Sequence, residues 1–226
     1  MLGKIFELLL DKIYPVRCAF CGKEEVVDKD MLICPKCVKC LPYTAKDGCF
    51  DGGRYVEYLV SPLFYKDSVR DAIIKFKFSG RQVYDKTFAA LIYKSIQNIN
   101  EVMCSDLIIP VPLSKKRFTE RGYNQSALLA KELSRMLYID YDDDILIRTR
   151  NTKRQSKVSL EEKHNNVRDA FASTQSLEGK RVLLIDDIYT TGATMNECAR
   201  VLKTVGCDKV YGASIAAYPR VYKTKI

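Results

Sequence analysis

Apolar residues along this chain recur in two rhythms, and the alternation between them maps its elements. Val69, Ala72, Ile73 and Phe76 stand three and four residues apart, the spacing of a helix with one buried face, and Gly80 supplies a stop signal. Phe88, Leu91, Ile92 and Ile99 predict a second helix, and Leu129, Leu133 and Met136 a third. Between them lie short apolar runs without polar alternation at 106–110 (DLIIP), 145–147 (ILI), 181–186 (RVLLID) and near 210–217. A helix over 194–205 separates the last two. Strands of this kind, interleaved with helices, predict an α/β fold with a parallel sheet covered on both faces.

Composition places the chain among globular proteins: of 226 residues, 47% are hydrophobic and 29% charged. The distribution of cysteine and charge then divides it. Six of the nine cysteines fall in the first 50 residues, and the turn-rich stretch 46–53 (KDGCFDGG) closes that cluster. The expected parts are 1–52, an N-terminal helix with a cysteine module, and 53–226, the main domain. Residues 1–52 hold eight Lys/Arg and eight Asp/Glu, so the whole net charge of +9 belongs to 53–226. A basic main domain favours polyanionic partners such as phosphates or nucleic acid. The opening apolar run is broken by Glu7, has no small-residue cleavage site and is too short to span a bilayer. A cytoplasmic protein without a membrane span is therefore expected, where clustered cysteines serve as metal ligands more often than as disulfides.

Cys18-x2-Cys21, twelve residues, then Cys34-x2-Cys37 is a ribbon-type spacing in which four thiolates surround zinc. Gly22 and Pro35 favour the two turns. A module this small lacks the apolar residues to hold itself together, so the metal would supply about 10 kcal/mol of its stability. Two alternatives stay open: Cys37-x2-Cys40 is a second possible knuckle, and an iron–sulfur cluster is a second possible occupant.

Residues 182–194 (VLLIDDIYTTGAT) carry the candidate site. A buried strand delivers Asp186 and Asp187 to its C-terminal end, where open α/β sheets bind ligands. The loop Thr190, Thr191, Gly192, Ala193, Thr194 leads into a helix, whose unpaired N–H groups suit a phosphate. Ionised carboxylates are acceptors only, so the acid pair is expected to take two vicinal ribose hydroxyls from an exposed strand end. The loop is neither a Walker A motif nor a dinucleotide fingerprint. Its bland alternative is a strand-turn-helix with ordinary caps.

This segment resembles the signature of the type I phosphoribosyltransferases. Other segments narrow the resemblance to the ComF family of competence proteins: 76–80 (FKFSG), 110–113 (PVPL), 121–125 (RGYNQ), Arg148-Thr149-Arg150 with Gln155, and Asn166-Val167 before Ala170-Phe171. The cysteine module fits the same pattern, with Lys163 where the family usually has Arg. The resemblance implies a phosphoribosyl pyrophosphate (PRPP) site with magnesium. Pro112, Leu113, Ser114 and Lys115 would form the pyrophosphate loop, with Arg117 and Arg121 close by. It also implies that 148–157 closes over the reacting ribose; Arg148, Arg150, Lys153, Arg154 and Lys157 make this run basic, with no acid. The alternatives are a solvated surface loop for that segment, and a helix cap or ion pair for Arg121.

Two function classes follow. One is a protein that binds PRPP and handles single-stranded DNA in natural transformation, with competence or recombination proteins as partners. The other is a phosphoribosyltransferase enzyme that displaces pyrophosphate onto an unidentified acceptor and has no DNA role. Base-stacking platforms would have to be Tyr or Phe, as the chain has no Trp; Tyr14, Tyr55, Tyr123 and Tyr189 are candidates. His164, in a charged stretch, is expected to be solvated, and Cys198 and Cys207 to be packing residues.

Overall fold

The structure, a computed structural model, describes residues 17–24, 31–44, 48–78, 82–150 and 167–219. Its centre is a sheet built on β7 (Arg181–Tyr189), with β4 (Leu107–Pro110) and β8 (Lys209–Ala217) parallel on either side. Beyond β8 lie β2 (Tyr58–Val60) and β3 (Leu63–Phe64), both parallel to it, and β1 (Cys49–Asp51) closes the edge antiparallel to β2. Residues just before the compositional seam therefore already pair into the main sheet.

Alternation along the central strands sets the two layers. Leu183, Ile185, Ala213 and Ile215 face one apolar cluster, where they meet α2 (Asp67–Phe78), α3 (Asp85–Ile96) and α6 (Gln125–Leu137). Val69, Ala72, Ile73 and Phe76 all lie on the buried face of α2, as their spacing predicts; Gly80 falls outside the described residues. Leu129 and Leu133 anchor α6, with Met136 half-buried beside them. Val182, Leu184 and Val210 face the other cluster, filled by α7 (Ala193–Thr204) and a separate hairpin-like pair, β5 (Leu146–Arg148) with β6 (Phe171–Ser173). Each fully buried leucine here contributes about 1.5–3 kcal/mol by leaving water. The parallel sheet with helices on both faces is as expected, because β7 is apolar on both sides.

Four details differ from the sequence reading. Ile99 is not in the second helix, which stops at Ile96; it precedes the single turn α4 (Asn100–Met103). The run 145–147 does not join the parallel sheet, since β5 pairs only with β6, antiparallel; three apolar residues do not specify which strand they pair with. The acid-bearing strand continues past both carboxylates to Tyr189, held by its long register with β8. The helix after it starts one residue early, at Ala193, because Gly192 takes the left-handed conformation (φ +76°) that turns the chain.

The cysteine segment belongs to the first cluster. Cys18, Phe20, Leu32 and Cys34 are buried in it with Phe76 and Phe88. Phe20 meets Phe88 edge-on at 5.9 Å, and the Leu32 N–H donates to Thr87 Oγ1 at 2.8 Å.

Candidate ligand site and metal centre

After β4 the chain passes through α5 (Lys115–Arg121) to α6 on the first face of the sheet; after β7 it turns into α7 on the second. Helices thus leave the carboxyl ends of two adjacent parallel strands in opposite directions, which opens a crevice between them. Pro112, Leu113 and Ser114 flank it on one side and 186–194 on the other. The Val111 N–H donates to the Ile185 carbonyl at 2.8 Å, so the two segments are tied at the crevice floor.

The acid pair is not at an exposed strand end. Asp187 is only 8% exposed, and its Oδ2 takes the Lys77 ammonium at 2.8 Å. Asp186 is half-buried; its Oδ1 accepts from Ser126 Oγ at 3.2 Å and from the Asp187 N–H at 2.8 Å. Packing of α2 and α6 over the strand end causes this burial, which strand spacing alone does not reveal. Burial and the adjacent Asp187 charge push the Asp186 carboxyl up to about 7. One oxygen of each acid, Asp186 Oδ2 and Asp187 Oδ1, has no protein partner among the described residues.

The loop itself stands open. Thr190 is exposed and Thr191 and Thr194 are half-buried; the Gly192 N-cap offers no side chain, and the Ala193 N–H donates to Thr191 Oγ1 at 3.4 Å. Gly192 is demanded by space as well as by φ, since a Cβ there would lie 2.2 Å from the Tyr189 hydroxyl. Asn196, one turn into α7, clasps the linker from the cysteine segment: its Nδ2 donates to the carbonyls of Gly52 (3.1 Å) and Gly192 (3.3 Å), and its Oδ1 accepts from the Tyr55 N–H (3.2 Å). A cavity of about 420 Å³ lies here, lined among others by Arg54, Thr191, Ala193 and Asn196.

On the opposite wall Ser114 caps α5 by accepting from the Arg117 N–H. Pro112, Leu113 and Lys115 line a second cavity of about 460 Å³ with Phe118 and Asn124. The Arg121 Nη1 donates to Gln125 Oε1 at 2.7 Å, and its guanidinium lies 4.9 Å from the centre of the Phe78 ring. Arg148 starts the basic segment at the end of β5. Its guanidinium sits over the Phe171 ring at 5.1 Å, and burial with the nearby Arg117 charge lowers its pKa, while Asp186 opposes that shift. Arg150 donates to the Arg168 carbonyl at 2.6 Å, and the Thr149 N–H to the Ala170 carbonyl at 2.9 Å, so residues 149–150, where the basic segment begins, run beside residues 168–170. Lys153, Arg154, Lys157, Lys163, His164 and Asn166 lie outside the described residues, as does Tyr14. Tyr123 and Tyr189 are 9% and 7% exposed, so neither offers a ring face for stacking. Cys198 and Cys207 are buried packing residues as expected.

Sequence reasoning assigned no role to Lys77, Ser126 or Asn196. Lys77 stood within the quoted FKFSG segment and Ser126 directly after RGYNQ, which was the available signal. Asn196 had none.

The cysteine spacing was more explicit. The Sγ atoms of Cys18, Cys21, Cys34 and Cys37 all lie within 4.8 Å of one another, whereas Cys40 is exposed and outside the group. Gly22 takes φ +76° in the first knuckle, and Pro35 opens α1 (Pro35–Cys40) in the second. The N–H groups of Cys34 and Cys37 donate to the sulfurs of Cys18 (3.4 Å) and Cys34 (3.5 Å). Burial alone would raise the Cys34 thiol; the Cys37 N–H and neighbouring thiols outweigh it and bring it to about 7, while Cys37 is raised. Four soft donors in a closed group suit a structural tetrahedral zinc.

Two family models match the chain. The phosphoribosyl transferase domain model matches residues 124–225 and the double zinc ribbon domain model residues 9–63. The chain is 30% identical to Competence protein F of Haemophilus influenzae, over 86% of this chain and 93% of that one. It is 30% identical to the DNA utilization protein YhgH of Escherichia coli K12, over 85% and 86% of the two chains. With Competence protein ComFC of Bacillus subtilis it shares 34% identity over 68% of this chain and 60% of that one.

Proposed function

The chain belongs to the ComF family, and from that premise we propose that it binds PRPP with magnesium and handles single-stranded DNA during DNA uptake. The observation that carries the ligand reading is the pair of oxygens without a partner among the described residues, one on each of Asp186 and Asp187, beside a helix start whose N-cap is Gly192. Two vicinal hydroxyls need two acceptors, and a 5′-phosphate needs N–H donors near a positive dipole end. The loop 190–194 would take the phosphate. Lys115, Arg117 and Arg148 would face the diphosphate, whose negative charge magnesium neutralises when bound. Arg121, engaged with Gln125 and Phe78, braces the wall instead.

The DNA role is supported by the names of the relatives and by the +9 charge of the main domain. No helix among the described residues is long and apolar enough to cross a membrane. Phe118, about half exposed, is a ring open to bases where Tyr123 and Tyr189 are not.

A second reading, turnover of PRPP, is favoured by the place of Arg148. Arg148, where the basic segment starts, is half-buried over the Phe171 ring, and its charge is felt by Asp186 and Arg117, as a segment that closes over a reacting ribose would require. One experiment tests both: titrate the protein with PRPP and magnesium, then measure pyrophosphate release with and without single-stranded DNA. Failure to bind PRPP removes the ligand reading; binding without release removes turnover onto water or DNA.

A further inference from the structure

The last turn of α2 presents Lys77 between two residues held from outside the helix. The Phe76 carbonyl accepts the Tyr123 hydroxyl, and the Phe78 ring lies beneath the Arg121 guanidinium, itself bonded to Gln125. The segment 121–125 therefore fixes the backbone on both sides of Lys77. Its side chain is only 15% exposed and ends on Asp187 Oδ2, whose own side chain is 12% exposed.

A lysine placed there has consequences for ligand chemistry. Two adjacent carboxylates in a half-buried crevice invite a cation, and in a phosphate site that cation is commonly a metal. Here an ammonium already stands on one of them. It takes Oδ2 of Asp187, just as Ser126 and the Asp187 N–H take Oδ1 of Asp186. Each acid is thereby reduced to a single available acceptor. An ammonium carries three N–H donors, and Asp187 is the one partner Lys77 has among the described residues.

We propose that Lys77 is a positioning residue for ribose: it orients Asp187 to receive one ring hydroxyl and takes the place of a metal ion at the acid pair. This rests on the reading of the crevice as a phosphoribosyl site and adds where its specificity comes from. Magnesium then belongs to the diphosphate alone, and a phosphoribosyl ligand without diphosphate binds without metal. Lysine suits this task better than arginine, because a compact point charge on one oxygen leaves the other clear, whereas a guanidinium fork would cover both.

The test uses the full chain and ribose 5-phosphate by calorimetry, with magnesium or with EDTA. Zinc content is checked in parallel, so that loss of the module is not mistaken for loss of the site. The wild type is expected to bind equally in both conditions and to prefer ribose 5-phosphate over its 2-deoxy or 3-deoxy analogue by tenfold or more. Lys77→Met, which keeps the apolar stem, should lose that preference for one of the two analogues while affinity for inorganic phosphate stays within twofold. Asp187→Asn should show the same loss, and the double variant no more than either single, since both act on one contact. Retained sugar discrimination in a folded Lys77→Met protein would show that the lysine serves stability only. If Lys77→Met does not fold, a magnesium requirement for ribose 5-phosphate in the wild type is sufficient to overturn the proposal. No binding of ribose 5-phosphate by the wild type in either condition, with inorganic phosphate still bound, overturns the ribose reading of the crevice itself.

Discussion

The two ends of β7 carry the same kinds of residue and put them to opposite uses. At its start Arg181 meets Asp106 in a two-pronged contact, Nε to Oδ2 at 3.0 Å and Nη2 to Oδ1 at 2.8 Å, with the Arg181 N–H also on Oδ2. Both carboxylate oxygens are used, and the Asp106 carboxyl falls to about 2, chiefly through the Arg181 side-chain bonds. At its end two acids stand side by side with one cation, Lys77, on Asp187, and Asp186 is pushed up to about 7. The first end uses every acceptor for stability; the second holds two in reserve beside a helix start whose N-cap is Gly192. Incomplete pairing of the polar groups at one end of a strand is what separates a site from a brace.

Removing the metal should have the largest effect and should separate the module from both ends. Cys18→Ser with Cys34→Ser should abolish the one zinc expected by elemental analysis and lower stability by an amount approaching the ~10 kcal/mol of a structural site. Because Phe20 packs on Phe88 in the main core, the loss should spread to α3; a near-normal Tm would contradict this packing.

Asp187→Asn comes next. It leaves the Lys77 ammonium nearly buried without its partner, a loss on the order of 3 kcal/mol. Together with Asp186→Asn it should abolish PRPP binding by calorimetry. Asp106→Asn should lower Tm yet leave PRPP affinity within twofold; equal loss of affinity at both ends would break the comparison.

The pH dependence should run in opposite directions. Asp186 holds its proton more tightly folded (about 7) than unfolded (3.8), so its contribution favours the fold below 3.8 and is lost as pH rises toward about 7. Asp106 is the reverse: its contribution is present above 3.8 and is lost as pH falls toward about 2. Denaturant midpoints from pH 4 to 8 should fall less steeply in Asp186→Asn than in the wild type. Unchanged steepness would mean that Asp186 is not the group responsible.

The smallest contrast concerns glycine. Gly179, just before β7, has φ +68° with nothing within 4 Å of an added Cβ, whereas at Gly192 that atom would strike Tyr189. Gly179→Ala should cost about 1 kcal/mol of backbone strain and spare ligand binding. Gly192→Ala should cost more and weaken binding of inorganic phosphate, measured by calorimetry; equal costs would show that the loop yields to the added atom.

Local chemistry made much of this legible. The apolar face of α2, the fully buried β7 and the acid-pair loop each declare themselves within a dozen residues, because a 3.6-residue period, an unbroken apolar strand and a left-handed glycine are local requirements. So do the two knuckles, whose spacing is fixed by the reach of four sulfurs around one ion. What the sequence could not show was everything decided between distant segments. Lys77 reaches Asp187 across 110 positions, Ser126 reaches Asp186 across 60 and Asn196 reaches Gly52 across 144. The same distance in sequence hid the pairing of 145–147 away from the main sheet and the burial of an acid pair expected to be exposed. Sequence by itself determined the strand, the loop and the metal knuckles. Which oxygens of the acid pair stay open was decided only when α2 and α6 packed onto one face of that strand, because hydrogen bonds between remote side chains leave no periodic trace along the chain.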